Sequence, residues 1–583
     1  MDELSRRGLL SEPSAVASAA AGRLISFRHA RAAVALVCLA MLIAIMTLLA
    51  RRLFAGMTSV GMTGIDTFAY WKDANDLLHG EHDFLSERPA FDALNVLAFK
   101  TLGVNDYAIR AFIAAFAVAN VALVYLLSLA VARNALVALA AAGVYAFNPT
   151  LLAYAGTELP HVTGATFVLI AALCAVLAIS ADANFRARLA ATFMVGAAST
   201  SAIFTHEDLA FLAAGYLIVI LLPLAVPADR PLVSGGRARM AAAALAAFVL
   251  GSAAGAAWPL LATGFEPERI LHDMRALEAT LDQNSAVRLA GDWWIVPRRF
   301  LKEITVDTFG RTITALATGA AVAVPAAFLW KRADDLRRLF TLEIPIVLYI
   351  AAFLLVIPIY LEGTYKRLIV PLAALIIVFA VGGTYLLSQR LLRGLAGIAI
   401  VAWAAYVVIG GKPWQFATPP VTPYRALYDE IKDRVTAHRK LLLPACYAVY
   451  KPWVGIGSPV YLGDNAVPIY PMQNLVSFDA LIAANHIGYV YVALEPPRGG
   501  MWERDRIEQL FVTTYGVAPD PGLLDRLPRV PQEVWRNDTK VEWSPEACAF
   551  EAKVMRQLLD RRGARVVLMI PGMADIYELR RPE

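Results

Sequence analysis

The chain has 583 residues, of which 58% are hydrophobic and 17% charged, and its formal net charge is +5. The apolar residues gather in blocks of about 20, the length that an α-helix needs to cross a bilayer. This composition excludes a soluble globular protein. The small net charge comes mostly from basic loops and gives no support for nucleic-acid binding. We therefore predict an α-helical polytopic membrane protein.

Residues 1–29 are predicted to be a cytoplasmic tail, because the apolar run that follows is too long for a signal peptide and lacks a small-residue cleavage pattern. Residues 30–410 are predicted to form the membrane module, with long polar loops at 53–107 and 263–309. Eleven spans are expected, at 32–50, 111–132, 135–153, 162–180, 189–204, 209–226, 240–262, 313–330, 344–360, 368–387 and 395–410.

The distribution of Lys and Arg predicts the orientation, because cytoplasmic loops retain positive charge. With the N-terminus inside, every inner loop is basic, whereas the short outer turns around Glu158 and Glu207 hold no Lys or Arg. Arg51 and Arg52 run against this rule. An odd number of spans places residues 411–583 outside the cytoplasm, and we expect the host membrane to be the bacterial inner membrane.

The tail, residues 411–583, alternates helix and strand patterns, which predicts an extracytoplasmic α/β domain. Helices are expected at "YRALYDEIKDRVTAH" and "ACAFEAKVMRQLLDRRG", and strands at "KLLLPAC", "GYVYVALE" and "ARVVLMI". Cys446 and Cys548 both lie in this domain, where a disulfide between them is chemically permitted.

The ionisable residues lie outside the centres of the spans, and this argues against an ion-coupled transporter, which usually needs such groups near the midplane. They gather instead in the predicted outer loops, at Asp66, Glu81, Asp83, Glu87, Arg88, Glu158, His161, His206, Glu207, Asp208, Glu362, Lys366 and Arg367. The sequence therefore predicts a site at the outer leaflet surface.

Four segments in this order resemble the GT-C superfamily of membrane glycosyltransferases: "GIDTFAYW", "SERPAF", "NPTLLAYAGTELPH" and "YLEGTYKRLIVPLAAL". The nearest patterns are those of the protein O-mannosyltransferases and of the bacterial enzymes that add aminoarabinose to lipid A. The resemblance extends over residues 30–387. It implies transfer of a sugar from a polyprenyl phosphate in the outer leaflet to an acceptor hydroxyl of a lipid, glycan or protein.

The resemblance also implies roles for individual residues. Asp66 matches the acidic position near the acceptor, and Glu158 matches a second acidic position; both are therefore candidate catalytic residues. Ala90 stands where the family often has a second proline, after the run Glu87, Arg88, Pro89. The donor phosphate is expected to be bound by Arg88, Tyr365, Lys366 and Arg367, with Glu87, His206 and Glu207 in support.

The chemistry agrees with these residue types. Displacing a phosphate from an anomeric carbon needs a base for the incoming hydroxyl and cations for the departing charge, and one displacement inverts the anomeric centre. A guanidinium matches the phosphate oxygens and keeps its proton.

Each assignment has a structural alternative. Asp66 is also a suitable N-cap for a helix beginning at Thr67. Basic side chains such as Arg88, Lys366 and Arg367 commonly anchor span ends at lipid headgroups, and Glu158 is also an ordinary residue for a polar turn. His161, His206 and Glu207 are of metal-ligand types, but His161 lies in a different loop from His206 and Glu207, so we predict no cofactor and keep a divalent metal as the alternative. The alternative function is a non-catalytic lipid-handling or transport protein on the same scaffold.

Overall fold

The computed structural model describes most of the membrane module and parts of the tail. The described residues are 13–55, 57, 65–80, 88–179, 184–206, 209–225, 234–263, 298, 301–329, 333–355, 369–392, 395–410, 428–445, 465–469, 475–494, 501–519, 522, 540–542, 545–570 and 574–580. Most of the predicted loop 263–309, with its "ERILHDMRALEATLDQ" and "DWWIVPRRF" segments, lies outside them.

The described chain is mostly helical, as predicted. Among the described residues, fourteen α-helices precede the tail: α1 Pro13–Phe54, α2 Ile65–His79, α3 Pro89–Leu102, α4 Ala108–Ala132, α5 Ala135–Ala146, α6 Pro149–Ala155, α7 His161–Ile179, α8 Phe185–Ile203, α9 Ala210–Ala225, α10 Ser234–Thr263, α11 Gly310–Leu329, α12 Ala333–Leu355, α13 Val370–Leu392 and α14 Leu395–Gly410. A π-helical turn, Glu303–Thr308, precedes α11.

Asparagine side chains begin three of these helices. Asn134 accepts hydrogen bonds from the backbone N–H groups of Leu136 and Val137 at the start of α5, and Asn148 and Asn184 cap α6 and α8 in the same way. Each cap satisfies amides that the first helical turn leaves unbonded. These polar residues therefore determine where the apolar helices begin.

Each of the eleven predicted spans overlaps a helix, but not every helix meets a strict length and hydropathy test. Among the described residues, five helices are long and apolar enough to cross a membrane, or six if a bent pair is one span. The bent pair is α5 and α6, which meet at 62° where one straight span was predicted. Pro149 at the start of α6 explains the break, because proline cannot continue the hydrogen bonding of α5. The count of eleven crossings stays a prediction.

Helices α8 and α10 pack backbone to backbone through glycine. A Cβ added at Gly251 would lie 1.9 Å from the carbonyl oxygen of Phe193, and one added at Gly196 would lie 2.2 Å from that of Phe248. A Cβ added at Gly255, one turn after Gly251, would lie 2.3 Å from the carbonyl oxygen of Ala197. Small residues at this spacing let two membrane helices approach closely.

The described part of the tail contains a mixed five-stranded sheet in the order β2-β1-β3-β7-β6. β1 is parallel to β2 and β3, whereas β7 is antiparallel to β3 and β6. A separate antiparallel pair is formed by β4 and β5. The strands are β1 Lys440–Leu443, β2 Ala466–Pro468, β3 Ile487–Ala493, β4 Met501–Glu503, β5 Lys540–Glu542, β6 Arg565–Ile570 and β7 Ala574–Glu578.

Three predicted strands are confirmed as β1, β3 and β6, and the last predicted helix is confirmed as α17, Pro545–Arg561. The short helices α15, Phe478–Ala484, and α16, Arg504–Gln509, precede it. The helix predicted from Tyr424 to His438 was too long, because helical structure stops at Ile431. Thr436 and Arg439 exchange backbone hydrogen bonds in a turn there. That the tail is a separate extracytoplasmic domain stays a prediction.

Helix α17 is held against the end of β1 by a buried carboxylate. Glu551 accepts hydrogen bonds from the backbone N–H of Ala445, at 2.8 Å, and from the Tyr515 hydroxyl. Burial and the neighbouring Glu551 raise the pKa of Tyr515 well above its usual value, so this hydroxyl keeps its proton. Cys548, one turn before Glu551, is disulfide-bonded.

Candidate functional site

Arg88 lies at the start of α3 and is held by an aromatic residue of α2. Its guanidinium donates a hydrogen bond to the Tyr70 hydroxyl and lies 5.4 Å from the centre of the Tyr70 ring. The ring of Phe91 packs edge-on against Tyr70, with the centroids 5.2 Å apart. The hydrogen bond and the ring contacts together orient the guanidinium, which is half-buried.

The backbone amides of the first turn of α3 are already bonded. Pro89 has no N–H, Ala90 donates to the carbonyl oxygen of Phe204 at 3.0 Å, and Phe91 and Asp92 both donate to the carbonyl oxygen of Arg88. An anion at this end of the helix would therefore be bound by the Arg88 side chain rather than by free helix N–H groups.

Asp92, also in the first turn of α3, is fully buried. Neither of its carboxyl oxygens has a hydrogen-bond partner among the residues that the structure describes. Burial raises the pKa of Asp92 well above its usual range, the nearby Asp73 of α2 raises it further, and Arg88 opposes this shift. This carboxyl group is therefore predisposed to keep its proton.

The bond from Ala90 to Phe204 connects α3 with the turn after α8, which contains His206. His206 packs on His161 at the start of α7, with ring centroids 4.7 Å apart. Both imidazoles are buried, with 5% and 1% of their surface exposed. Three of the predicted outer loops, which are far apart in the chain, are thus joined by direct contacts.

A buried ion pair joins Arg110 to Glu158, which lies close to His161 in the sequence. Glu158, three residues earlier, accepts two hydrogen bonds from Arg110 of α4, from Nε at 2.9 Å and from Nη2 at 2.6 Å. The two side chains are 3% and 1% exposed. Glu158 is therefore already engaged by a cation of the protein itself, a partner that the sequence reasoning did not identify.

The bend between α5 and α6 lies beside this region. Asn148 caps α6 and also donates from Nδ2 to the carbonyl oxygen of Thr308 at 2.9 Å, which attaches the π-helical turn to the bend. A small apolar pocket adjoins the bend. Its lining includes Leu49, Ala117, Tyr145, Leu152, Ala155 and Val162.

The predicted site residues are located as follows. Arg88, Glu158 and His206 lie on the three connected segments. Asp66 is the second residue of α2, so the described helix places it inside the first turn and not at the N-cap position. Glu87, Glu207, Tyr365, Lys366 and Arg367 lie outside the described residues, and their roles stay predictions.

Tyr70, Asp92 and Arg110 were not among the site residues predicted from the sequence. Two signals were available. Arg110 is a basic residue at the predicted outer end of a span, where the positive-inside rule disfavours one. Asp92 and Asn95 are polar residues three apart in the apolar first half of the helix, which places them on the same buried face.

No group of three or more His, Cys, Asp or Glu side chains in the described parts of the chain is arranged to hold a metal ion.

Solved structures that are similar to this chain share little sequence identity with it. One similar solved structure is ArnT from Cupriavidus metallidurans bound to undecaprenyl phosphate, which is 13% identical, with a TM-score of 0.51 over 80% of this chain and 95% of that one. ArnT in the apo state is 14% identical, with a TM-score of 0.47 and coverage of 78% and 92%. At this identity the similarity concerns the fold.

A further similar structure is the archaeal oligosaccharyltransferase AglB from Archaeoglobus fulgidus, in complex with an inhibitory peptide and a dolichol-phosphate. It is 14% identical, with a TM-score of 0.46 over 87% of this chain and 74% of that one. No protein-family model matches the sequence, and no curated protein matches it by sequence.

Proposed function

We propose that this protein is a membrane glycosyltransferase that moves a sugar from a polyprenyl phosphate to an acceptor hydroxyl at the outer face of the bacterial inner membrane. The observation that supports this best is the convergence of three predicted outer loops. Arg88 stands on the first of them, His161 and Glu158 on the second, and His206 on the third. The fold likeness to ArnT, which was crystallised with undecaprenyl phosphate, agrees with this donor class.

In the proposed reaction, Asp66 takes the proton from the acceptor hydroxyl. The oxygen then forms a bond to the anomeric carbon as the bond from that carbon to the phosphate oxygen breaks. Arg88, together with Tyr365, Lys366 and Arg367, binds the phosphate whose charge grows during this step. Polyprenyl phosphate leaves, and the sugar is inverted in one displacement.

The burial of Arg88 contributes to this role. A guanidinium that is half-buried and held on Tyr70 is less screened by water than a surface side chain, so its attraction for a phosphate is stronger.

The direct test is a transfer assay on the purified full chain in lipid nanodiscs. A panel of undecaprenyl-phosphate sugars, covering hexoses, pentoses and aminopentoses, is supplied with a total membrane extract as the source of acceptors. Release of undecaprenyl phosphate above that of empty nanodiscs supports the proposal. Binding of the donors without release from any of them would favour the non-catalytic lipid-handling alternative.

A further inference from the structure

Asp92 is a buried acid that the proposed reaction does not use. Its exposed fraction is 0%, and among the described residues neither carboxyl oxygen has a hydrogen-bond partner. Its backbone N–H donates to the carbonyl oxygen of Arg88 at 3.1 Å, so it lies one helical turn beyond the arginine. A carboxylate in such a place loses its hydration without compensation, whereas a neutral acid loses much less.

Charged groups lie on the described helices that pack against α3. α2 contributes Asp73 and the Lys72–Asp76 ion pair. α4 contributes Arg110, which is held by Glu158. α10 also packs on α3 and has no ionisable residue between Met240 and Thr263. His206 follows Phe204, the residue whose carbonyl oxygen accepts the hydrogen bond from Ala90 of α3. Among the described residues, Asp73 and Arg88 are the two groups whose charge acts on the Asp92 carboxyl, in opposite directions.

We propose that Asp92 is a positioning residue that controls how much of the Arg88 charge is available to a lipid phosphate. As a neutral acid it leaves the guanidinium fully positive toward the phosphate. When it releases its proton to solvent, the new carboxylate cancels part of that charge and weakens phosphate binding. This inference rests on the proposed function, in which Arg88 binds the phosphate of the donor lipid.

The coupling is reciprocal, as linkage requires. A bound phosphate is an additional anion near Asp92, so it favours the protonated acid. Binding at a pH where Asp92 is partly ionised therefore takes up a proton from solvent. The neutral, isosteric Asp92→Asn variant has neither the pH-dependent loss of affinity nor this proton uptake.

The first measurement is the dissociation constant of undecaprenyl phosphate for the full chain in nanodiscs, from pH 5 to 10, for the parent protein and for Asp92→Asn. The ratio of parent to variant Kd should rise about tenfold with pH. If bound phosphate raises the pKa of Asp92 by one unit, the lipid binds about ten times more weakly to the ionised form than to the neutral form. The titration of the lipid phosphate itself is common to both proteins and cancels in the ratio. Asp76→Asn, on α2, is the matched control and should keep the parent profile.

The second measurement is the infrared difference spectrum of the parent protein minus Asp92→Asn at pH 7. It should contain the carbonyl band of a protonated carboxylic acid, which the parent protein has and the variant lacks. A missing band, or a Kd ratio that is constant from pH 5 to 10, overturns the inference while leaving the proposed function standing. Failure of undecaprenyl phosphate to bind at every pH would overturn both.

Discussion

Arg110 and Glu158 form a buried ion pair that joins the start of α4 to the turn before α7, with Nη2 2.6 Å from Oε1. Two buried charges are stable only when each compensates the loss of hydration of the other. Glu158 was predicted as a second catalytic acid, and the pair offers a structural reason for an acid at that position. The two roles make different predictions.

Removing one partner of the Arg110–Glu158 pair should destabilise the protein far more than removing both. We expect Glu158→Ala to lower the free energy of unfolding by about 3–5 kcal/mol, because the Arg110 charge stays buried. The double variant Arg110→Met with Glu158→Leu should recover most of this loss, as measured by thermal unfolding in detergent. Asp429→Ala, which breaks a surface pair with Lys432, is the control and should cost at most about 1 kcal/mol.

The double variant also tests catalysis. If it folds and transfers sugar at the parent rate, the predicted catalytic role of Glu158 is wrong and the acid is structural. If it folds but is inactive, Glu158 acts on the reaction in addition to stabilising the loop.

Asp66→Asn should lower turnover by about 10²–10⁴-fold, the usual contribution of a positioned general base. Asparagine preserves the size of the side chain, so undecaprenyl phosphate should bind with an unchanged Kd. The measurements are single-turnover transfer and equilibrium binding on the same preparation. An Asp66→Asn protein with the parent turnover would mean that the aspartate only stabilises the first turn of α2.

Arg88→Ala should weaken undecaprenyl phosphate binding by about 10- to 100-fold, the value of a charge-assisted hydrogen bond, and should lower turnover too. Tyr70→Phe removes the hydrogen bond that orients Arg88 and should have a smaller effect of about 2- to 10-fold. Arg239→Ala, at the other end of the module by the predicted topology, is the control. Parent-like binding by Arg88→Ala would show that this arginine is a headgroup anchor.

The disulfide of Cys548 should be with Cys446. The sequence has four cysteines, and Cys38 and Cys174 are free. Cys446 itself lies outside the described residues, but its neighbour Ala445 is bound to Glu551, one turn from Cys548.

Peptide mass spectrometry without reduction should recover this crosslink. Cys548→Ser should lower the stability of the tail by about 4–5 kcal/mol, as expected for a closed loop of about 100 residues. A free Cys446 thiol in the native protein would contradict the pairing.

Gly251→Ala should destabilise the membrane module by about 1–3 kcal/mol, because its Cβ would overlap the Phe193 carbonyl of α8. Gly319→Ala on α11 is the matched control, since a Cβ there meets nothing within 4 Å. Alanine at that position should stabilise the helix by up to about 1 kcal/mol. Equal melting temperatures for the two variants would show that α8 and α10 are packed less closely than the structure has them.

The amino-acid sequence by itself determined most of the helices and three of the seven described strands. Apolar blocks and asparagine caps act over a few residues, so the start of α5 at Ala135 and the strands β1, β3 and β6 were predictable from neighbouring residues alone. The bend after α5 was missed, although Pro149 marks it, because hydropathy averaged over 20 residues does not show a local break.

Only the tertiary structure decided which distant residues meet. Arg110 and Glu158 are 48 residues apart, and the contact between Ala90 and Phe204 depends on how α3 crosses the end of α8. The burial of Asp92 depends on the helices that pack against α3, among them α2, α4 and α10. Such contacts follow from helix crossing geometry and close packing, which are properties of pairs of segments and are not encoded in the pattern of either segment alone.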